Sequence, residues 1–344
     1  MKAVILAGGL RSGHEVEGLA LPRALWPFPR EPLISHVIGF LRVAGVRDIA
    51  ICANGKTKLI AAELSKQPQP WDDLHYSEDA FPRGPAGCLR DLTDWLGDEP
   101  FLSIQGTGHY SFDLNPLVAQ HHRTHAAITI AARVSGVDAE SLEPAGAYMV
   151  NPSVLELVPA VGFQDIKEQL IPKAQSVGQL VDCHVLRGQA LLVHSERHYL
   201  AALEHGIRQN KPASDQYRVV APDVFVHHEA SVASTARLRG PVWVESGAVI
   251  GDRAVIVGPA LVGRQARVET GALLHRVALL EGSCVAADAE LFARVVGPRN
   301  VVKKAAPARS RRPDASDRPS VGTVSQWLES LAWPRPRRVV ANRA

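Results

Sequence analysis

Two adjacent glycines, Gly8 and Gly9, lie just after a short apolar run at the start of the chain, Met1–Leu6. Glycine has no Cβ, so a glycine loop can bring backbone N–H groups close to a phosphate oxygen. The pattern therefore predicts a loop that faces a nucleotide. The two glycines also fit a tight turn that connects a strand to a helix and contacts no ligand. Both interpretations stay open.

Two groups of histidines are candidates for metal binding. His121, His122 and His125 would place two imidazoles on one face of a helix. Metal binding there is the weaker interpretation. His194 and His198 are separated by one helical turn, but their segment lacks the HExxH order of a zinc hydrolase.

Short apolar strands alternate with amphipathic helices through the first two hundred residues or so, and these elements must position any site. Helices are expected from Pro32 to Gly45 and over 56–65. Strands are expected over 1–6, 47–53, 100–105, 126–134, 145–151 and 181–186. The alternation predicts an α/β fold with a mostly parallel sheet. Because sites in such folds lie at the carboxyl ends of strands, the loop after Leu6 is the first place to look.

An aliphatic residue recurs at every sixth position from Val226 to Leu280, usually two residues after an alanine. The ladder consists of Val226, Val232, Leu238, Val244, Ile250, Ile256, Val262, Val268, Leu274 and Leu280. Neither a helix nor a plain strand has this period. It predicts a left-handed parallel β-helix of hexapeptide repeats over residues 226–300, with roughly three coils.

His275 lies within the ladder, and β-helix acyltransferases use a histidine as base. Those enzymes usually interrupt their coils with loops around the acyl donor. The ladder runs uninterrupted, so acyl transfer is a weak third interpretation of the chain.

Composition indicates a soluble protein of about two domains, since 46% of the 344 residues are hydrophobic and 21% are charged. There is no apolar run long enough to cross a bilayer, and the first apolar run is too short for a secretory leader. The four cysteines are scattered, with no CxxC pair and no zinc spacing. We therefore expect a cytoplasmic protein with reduced thiols.

The C-terminal tail is basic. Residues 301–344 hold ten Lys and Arg against three Asp and Glu, or +7, so residues 1–300 carry about −4 of the total charge of +3. The expected domains are 1–212 (α/β), a connector at 213–225, the β-helix at 226–300, a basic linker at 301–320 and an amphipathic helix with a basic tail at 321–344. We expect that helix, Val321–Trp333, to dock on protein, with nucleic acid an unlikely partner.

Several segments of the first half follow the order of a known enzyme family. They are Ala3–Gly9, Leu21–Phe28, Pro32–Ile34, Phe81–Gly87, Phe101–Gly106, Ala145–Val150 and Ile171–Lys173. On these motifs, with a β-helix behind them, the chain resembles the sugar-phosphate nucleotidyltransferases, and within them the mannose-1-phosphate guanylyltransferases. The resemblance covers about residues 1–300 and implies a Rossmann-like nucleotidyltransferase fold.

The family's reaction joins a sugar 1-phosphate to the α-phosphorus of a nucleoside triphosphate and releases pyrophosphate. This transfer between polyanions needs N–H groups and cations on the phosphates. The resemblance implies a catalytic cation at Arg23, where the family has lysine. It implies sugar contacts from Gly146 and Lys173. It implies nucleotide contacts from Leu6, Ala7, Gly8, Gly9, Arg11, Arg23, Gly84, Gly87, Gly106 and Thr107.

The sequence departs from the family where the metal would bind. The family has an aspartate after the glycine at 106, and this chain has Thr107. The second metal aspartate, counted back from Tyr199, corresponds to Leu192. A leucine cannot ligate Mg²⁺, and a threonine hydroxyl is a weak, neutral ligand. We therefore assign no metal-binding residue and expect Mg²⁺ only if the chain is active.

Two other departures lie outside the metal positions. Arg11 and Gly13 stand in the reverse of the family's order in the first loop. Only eleven residues separate Val134 from Gly146, where the family usually has a longer hairpin that contacts the sugar.

Three interpretations follow. In the first, the chain is a catalytically degenerate member that binds a nucleotide-sugar or a nucleoside triphosphate and acts in regulation or assembly, as a homo-oligomer or with a sister subunit. In the second, it is a working nucleotidyltransferase whose metal ligands come from Asp113, Asp165 or Asp182. The third is the acyltransferase. The sequence favours them in that order.

Overall fold

The structure is a computed structural model, and it describes residues 1–8, 21–53, 55–66, 73–78, 83–135, 141–209, 212 and 215–303. Two compact units divide between Ala202 and Leu203. Gly9, Arg11 and the predicted Val321–Trp333 helix lie outside the described residues. The predicted linker begins with strand residues at 301 and 302, and its residues from 304 onwards are also outside. The other predicted boundaries stay predictions.

The first unit contains strands and helices in alternation. Its strands are β1 (Lys2–Leu6), β2 (Pro27–Phe28), β3 (Glu31–Pro32), β4 (Asp48–Cys52), β5 (His75–Ser77), β6 (Phe101–Gln105), β7 (Gly108–Phe112), β8 (Ile128–Ser135), β9 (Ser141–Val150), β10 (Val181–Val185) and β11 (Gly188–Leu192). The helices are α1 (Leu33–Val43), α2 (Thr57–Leu64), α3 (Gly84–Asp91), α4 (Thr93–Leu96), α5 (Asn115–Thr124) and α6 (Ile171–Ser176), and α7 (Glu196–Gln209) begins in this unit and continues beyond Ala202. Two 3₁₀ helices, Arg23–Leu25 and Pro152–Leu157, and one π-helix, Ile166–Leu170, complete the list.

Seven strands form one mixed sheet in the order β10-β8-β9-β6-β1-β4-β5. β1, β4, β5 and β6 run parallel, as do β8 and β10, whereas β9 is antiparallel to both of its neighbours. Successive residues of a strand point to opposite faces, so Val4 and Ile5 enter two different hydrophobic cores. This mostly parallel α/β architecture confirms the predicted fold class of the first unit.

Helix α1 shows how the sequence sets the ends of an element. It follows Pro32 and ends just before Gly45, whose φ of +81° is a left-handed conformation that glycine adopts at little cost. Its buried face is made of Leu33, Ile34, Val37, Ile38 and Leu41. The predicted helix over this segment is confirmed.

A two-stranded antiparallel sheet of β7 and β11 stands apart from the main sheet. Sequence reasoning missed both strands, because the polar residues of β7 break the apolar alternation. Tyr110 and Phe112 of β7 pack on Phe40 of α1, with ring centroids 5.6 and 5.0 Å away. At Gly188 a Cβ would lie 2.4 Å from the Ser111 carbonyl oxygen, so the start of β11 requires glycine. β11 ends at Leu192, and Thr107 immediately precedes β7.

The second unit is built from short strands. They are β12 (Tyr217–Ala221), β13 (Val224–His227), β14 (Ser231–Val232), β15 (Arg237–Arg239), β16 (Val242–Val244), β17 (Val249–Ile250), β18 (Val255–Val262), β19 (Arg267–Val268), β20 (Leu273–Leu279), β21 (Cys284–Val285), β22 (Glu290–Val296) and β23 (Val301–Val302). β12 pairs antiparallel with β13, and the strands after it pair in parallel.

These parallel strands form a β-helix. Val226 pairs with Val244 and Val244 with Val262, a step of 18 residues that equals three six-residue intervals. β13, β16, β18, β20 and β22 stack in one column, so the chain makes four coil steps and not the expected three. Most ladder residues from Val226 to Leu274 are buried in the core of this unit, and Val232 and Leu238 are partly buried. The same core contains the alanines that precede them, Ala248, Ala254, Ala260, Ala266 and Ala272. The parallel β-helix is confirmed, and its handedness stays a prediction.

The ladder changes phase at its last residue. Val262 pairs with Leu279 and not with Leu280, so the predicted register is wrong at that position. The preceding corner holds two residues in β18, Gly258–Pro259, but only Arg276 in β20, and the coil is one residue shorter there. No helix in the part of the chain that the structure describes combines the length and apolarity needed to cross a bilayer.

His36 of α1 is a titratable group inside the first unit. Its ring meets Phe28 edge-on at 4.8 Å, and its Nε2 is buried with no hydrogen-bond partner among the described residues. Burial lowers the pKa of His36 from 6.5 to about 4, although a hydrogen bond to the Pro29 backbone opposes the shift. Between these two pH values, His36 is therefore neutral in the folded protein and protonated in the unfolded chain.

Replacing His36 with leucine is expected to make the protein less sensitive to acid. With the folded pKa below the unfolded one, stability is lost as pH falls from about 6.5 towards 4, by about 3 kcal/mol. The measurement is urea unfolding at pH 7 and 4.5, where His36→Leu should lose roughly 2 kcal/mol less than the unmodified chain. His122→Leu, at an exposed position of α5, is the control and should lose as much as the unmodified chain. Equal losses in the two variants would contradict the prediction.

Candidate functional site

The end of β1 meets the ends of β4 and β6. The Ala7 and Gly8 amides both donate to the Cys52 carbonyl, at 2.8 and 3.1 Å, and the Gly106 amide donates to the Leu6 carbonyl at 2.9 Å. The predicted N–H donors of Ala7 and Gly8 are thus engaged in the backbone and are not aimed at a ligand. The nucleotide contacts expected of these two residues stay predictions.

Gly106 allows β6 to end close to β1. A Cβ at this position would lie 2.9 Å from Ile5 Cγ2 and 3.2 Å from Ala7 Cβ. These distances are shorter than ordinary van der Waals contact, so a larger residue would displace the two strand ends. The glycine therefore has a packing reason that needs no nucleotide.

Thr107 and Leu192 lie at neighbouring positions of two strand ends although 84 residues separate them in the sequence. Leu192 pairs with Gly108 across β11 and β7, and the Val193 amide donates to the Thr107 carbonyl at 2.9 Å. Gly146 of β9 closes the group, because a Cβ there would lie 2.8 Å from Leu192 Cδ2. The structure thus brings together the two positions at which the family pattern has metal-binding aspartates.

The residues at this place do not fit Mg²⁺. Leu192 offers only methyl groups, Thr107 one neutral hydroxyl, and the neighbouring Gln105 an amide, whereas Mg²⁺ in proteins is held by carboxylates. Throughout the described ranges, no group of three or more His, Cys, Asp and Glu is placed to hold a metal ion.

The three aspartates considered as substitute ligands serve other purposes. Asp113 Oδ1 accepts from the Asn115 amide at 2.9 Å, just before α5. Asp165 caps the Ile166–Leu170 helix, accepting from two backbone amides at 2.7 and 2.9 Å. Asp182 lies on the edge strand β10, where Gln120 Nε2 donates to it at 2.8 Å and lowers its pKa. They lie on separate elements and do not form a cluster.

Arg23 begins a short 3₁₀ helix that is fixed from both sides. The Trp26 amide donates to the Arg23 carbonyl at 3.0 Å, and the Trp26 indole N–H donates to the Leu21 carbonyl at 3.3 Å. The Trp26 ring meets Tyr199 of α7 edge-on at 5.1 Å, and the Tyr199 hydroxyl donates to the Pro27 carbonyl. The turn with Arg23 is therefore tied to the first turn of α7.

The other predicted contacts lie elsewhere. At Gly84, with φ of +75°, a Cβ would lie 2.5 Å from the Gln164 carbonyl oxygen, and a Cβ at Gly87 would lie 2.6 Å from Arg83 Cβ. Both glycines thus permit close packing around α3. Lys173 is exposed on α6, which contacts β10 and Pro152–Leu157. The described contacts give these three residues no place beside Thr107 and Leu192.

Two histidines follow Leu192 closely, and sequence reasoning singled them out but missed Arg133. His194 and His198 stand at the start of α7, with ring centroids 5.9 Å apart, and Arg133 Nη1 donates to the Ala190 carbonyl of β11 at 3.4 Å. Partial burial lowers the pKa of His194, and the charges of His198, Arg23 and Arg133 lower it further. The available signal was the spacing of the two histidines immediately after the Leu192 position.

Comparison with known proteins gives a consistent assignment. Residues 2–142 match the family model described as Nucleotidyl transferase. A relative named "Probable mannose-1-phosphate guanylyltransferase 1" from Oryza sativa subsp. japonica is 26% identical over 332 residues, which cover 88% of this chain and 87% of the relative. Mannose-1-phosphate guanylyltransferase 1 of Arabidopsis thaliana is 24% identical with the same coverage of both chains.

A solved structure, HddC from Yersinia pseudotuberculosis complexed with GMP-PN, is similar in fold. Its TM-score is 0.50 at 15% identity, and the match covers 59% of this chain and 98% of that chain. At this identity the likeness concerns the fold alone. The family model and the plant relatives confirm the resemblance to the sugar-phosphate nucleotidyltransferases, and the solved structure agrees with the fold.

Proposed function

We propose that this chain, whose residues 2–142 form a nucleotidyl transferase family domain, binds a guanine nucleotide or a GDP-sugar and has lost the family's metal-dependent transfer. It would act as a regulatory or assembly subunit in the metabolism of nucleotide-sugars for polysaccharide synthesis, in the cytoplasm. The proposal separates binding, which the fold can still provide, from chemistry, which needs side chains that the site lacks.

One observation carries the proposal: Leu192 and Thr107 are neighbours. The Val193 amide joins the two strands by donating to the Thr107 carbonyl at 2.9 Å. Had only one position diverged, a carboxylate could still face the reacting phosphates from the other. Since neither side chain carries a charge, the developing negative charge would meet no metal held there. Losing a charged ligand from such a site removes several kcal/mol of transition-state stabilisation, roughly a thousand-fold or more in rate.

The choice of ligand is supported by the relatives. Proteins that match 88% of this chain are named mannose-1-phosphate guanylyltransferases, and HddC was solved with GMP-PN. Guanine nucleotides and GDP-sugars are therefore the first ligands to test. For the assembly role, we propose a second copy of this chain or a sister nucleotidyltransferase as the partner, joined through the β-helix.

A working enzyme is the second candidate. Relatives that share 88% coverage carry the name of the active transferase, and this favours retained activity. It would require carboxylates from segments other than β6, β7 and β11. Acyl transfer stays third, because the strands of the β-helix follow each other without an inserted loop through residues 217–302.

The test is a pyrophosphate-release assay with the common nucleoside triphosphates and sugar 1-phosphates, run beside calorimetric binding of GDP, GTP and GDP-mannose. We expect measurable binding that depends weakly on Mg²⁺ and little or no pyrophosphate release. Weak dependence is expected because neither Thr107 nor Leu192 offers Mg²⁺ a charged ligand. Arg23→Gln should weaken binding, since it removes the cation that the resemblance places on the phosphates.

The outcomes separate the candidates. Turnover near one per second with any substrate pair, a typical enzymatic rate, would establish the working enzyme. No binding of any guanine ligand would contradict the nucleotide part of the proposal and leave an assembly role. Light scattering then decides that role, since a monomer of 37.1 kDa at micromolar concentration would contradict self-association.

A further inference from the structure

Strand β12 lies at an edge of the β-helix. In the part of the chain that the structure describes, it pairs with β13 alone and is the outermost strand of its sheet. The His228 amide donates to the Gln216 carbonyl at 2.9 Å, so these two residues form a hydrogen-bonded pair. Bonded pairs alternate along an antiparallel ladder, which makes Arg218 and Val226 the next one. The backbone N–H and C=O of Val219 therefore point away from β13, towards the open edge.

The middle of β12 is apolar and exposed. Val219 is 66% exposed and Val220 is 50% exposed, although successive side chains of a strand point to opposite faces. Both faces of the strand are thus open to solvent here, together with its edge. An exposed apolar edge that presents backbone N–H and C=O groups is a template for pairing with another strand, unless charged side chains protect it.

The opposite edge of the same sheet is better protected. Its last strand is β22, on which Glu290 and Arg294 are both exposed. Charged side chains on an edge strand oppose pairing, because the new strand would take them out of water. β12 contains one charged residue, Arg218, beside its two exposed valines. Of the two edges, β12 is therefore the one that can accept another strand.

A second copy of β12 fits this edge. In an antiparallel pair across a two-fold axis, the start of one strand lies beside the end of the other. Arg218 stands near the start of β12 and Asp223 just after its end, so opposite charges approach each other twice. The Asp223 side chain is 47% exposed, and its Oδ2 lies 3.8 Å from Arg208 Nε, at the outer limit of an ion pair. We propose that β12 pairs antiparallel with β12 of a second copy of this chain, centred on Val219.

The expected dimer is closed and weak. Two copies that use the same edge complete each other, so the pairing ends at two chains and forms no filament. The register of β12 shifts between Val219 and Ala221, which keeps the regular part of the pair short. Such a contact buries less than the roughly 1,200 Å² of a standard interface, so we expect a dissociation constant in the micromolar range. This inference rests on the assembly role in the proposed function and names the surface that the role would use.

The experiment is sedimentation velocity of the full chain at about 1 to 100 µM, a range that brackets a weak interface. We expect the mass to rise with concentration from 37.1 kDa towards twice that value. Val219→Lys should raise the dissociation constant of the dimer by about tenfold or more, because two ammonium groups would meet at the two-fold axis. Val301→Lys is the matched control, since Val301 on β23 is 61% exposed, and it should leave the dimer unchanged. Circular dichroism checks that each variant is folded.

The charges at the two ends of β12 give a second test. Arg218→Glu should weaken the dimer by about fivefold, because it brings two carboxylates together at each end of the pair. Adding Asp223→Asn should restore part of the affinity, since the amide removes the repulsion. Asparagine also accepts the left-handed backbone of this position, where φ is +55°.

Hydrogen exchange at the Val219 amide distinguishes this pairing from other dimers, because the amide should exchange more slowly as the protein concentration rises. A dimer that folded Val219→Lys leaves unchanged, or a Val219 amide that exchanges equally fast at all concentrations, would overturn the surface and leave the assembly role standing. A monomer at every concentration would overturn the pairing, and calorimetric binding of GDP would still test the nucleotide part of the proposed function. Loss of the dimer in Val219→Lys, with unchanged affinity for GDP, would support the surface.

Discussion

Aspartate at both position 107 and position 192 is expected to make nucleotide binding depend on Mg²⁺. The neighbouring strands already place these residues together, through the Val193 amide and the Thr107 carbonyl at 2.9 Å. Two carboxylates there would supply the charged oxygen ligands that Mg²⁺ prefers. We expect Mg²⁺ to tighten GTP binding to Thr107→Asp/Leu192→Asp by about tenfold or more. Pyrophosphate release should rise by roughly a hundred-fold over the background of the unmodified chain.

The matched control is Thr107→Asn/Leu192→Asn, which has nearly the same shape and no charge. It should bind GTP equally with and without Mg²⁺, measured by the same calorimetric titration. The rate of pyrophosphate release by the aspartate variant should stay below that of a working family enzyme. The segment between Val134 and Gly146 is shorter than the family's sugar-contacting hairpin. If Mg²⁺ leaves the affinity of the aspartate variant unchanged, the two positions do not hold one ion and the argument from their proximity is wrong.

Replacing Gly258 with alanine is expected to destabilise the β-helix strongly. A Cβ at Gly258 would lie 2.1 Å from the Pro241 carbonyl oxygen and 2.6 Å from the Pro241 nitrogen. Both atoms belong to the backbone of the coil below, so no side-chain rotation can relieve the clash. We expect a cost of about 3 kcal/mol, at the upper end for adding a methyl group to a packed interior.

Hydrogen exchange in β16 and β18 measures this cost where it arises. A loss of about 3 kcal/mol corresponds to exchange that is roughly a hundred-fold faster in these strands. Gly39→Ala is the control, because no heavy atom lies within 4 Å of a Cβ there and alanine favours helix α1. Unchanged exchange in β16 and β18 of Gly258→Ala would show that the coils can separate at this corner.

The elements with strong periodicity could be predicted from the sequence. Helix α1 has a helical repeat of apolar residues between Pro32 and Gly45, and the β-helix has a six-residue repeat from Val226 to Leu274. In both elements the repeating residues are buried, or partly buried, in a core. β7 and β11 were missed because their stability comes from packing on α1 and from the glycine at 188, which no local pattern reports. The two missed strands, β7 and β11, are the ones that position Leu192.

The candidate site was predictable only in part. The positions of Thr107 and Leu192 were assigned by motif order, and their contact depends on the pairing of β7 with β11. The backbone bonds that engage the Ala7 and Gly8 amides could not be foreseen, because they depend on how β1 ends beside Cys52. Arg133 gave no signal either, since its contact with the Ala190 carbonyl joins residues that are far apart in the sequence.

The phase change at Leu280 shows that a coil of the β-helix can lose one residue without changing which residues point inward. The corner at Arg276 has one residue fewer than the corner at Gly258–Pro259, which moves every later residue by one position, and yet Leu279 continues the column of Val226, Val244 and Val262. The register is restored at once because the corner absorbs the change and the strands keep their side chains inward. Evolution can therefore alter the length of a coil by a single residue at a corner, while the same deletion within a strand would turn its aliphatic residues outward.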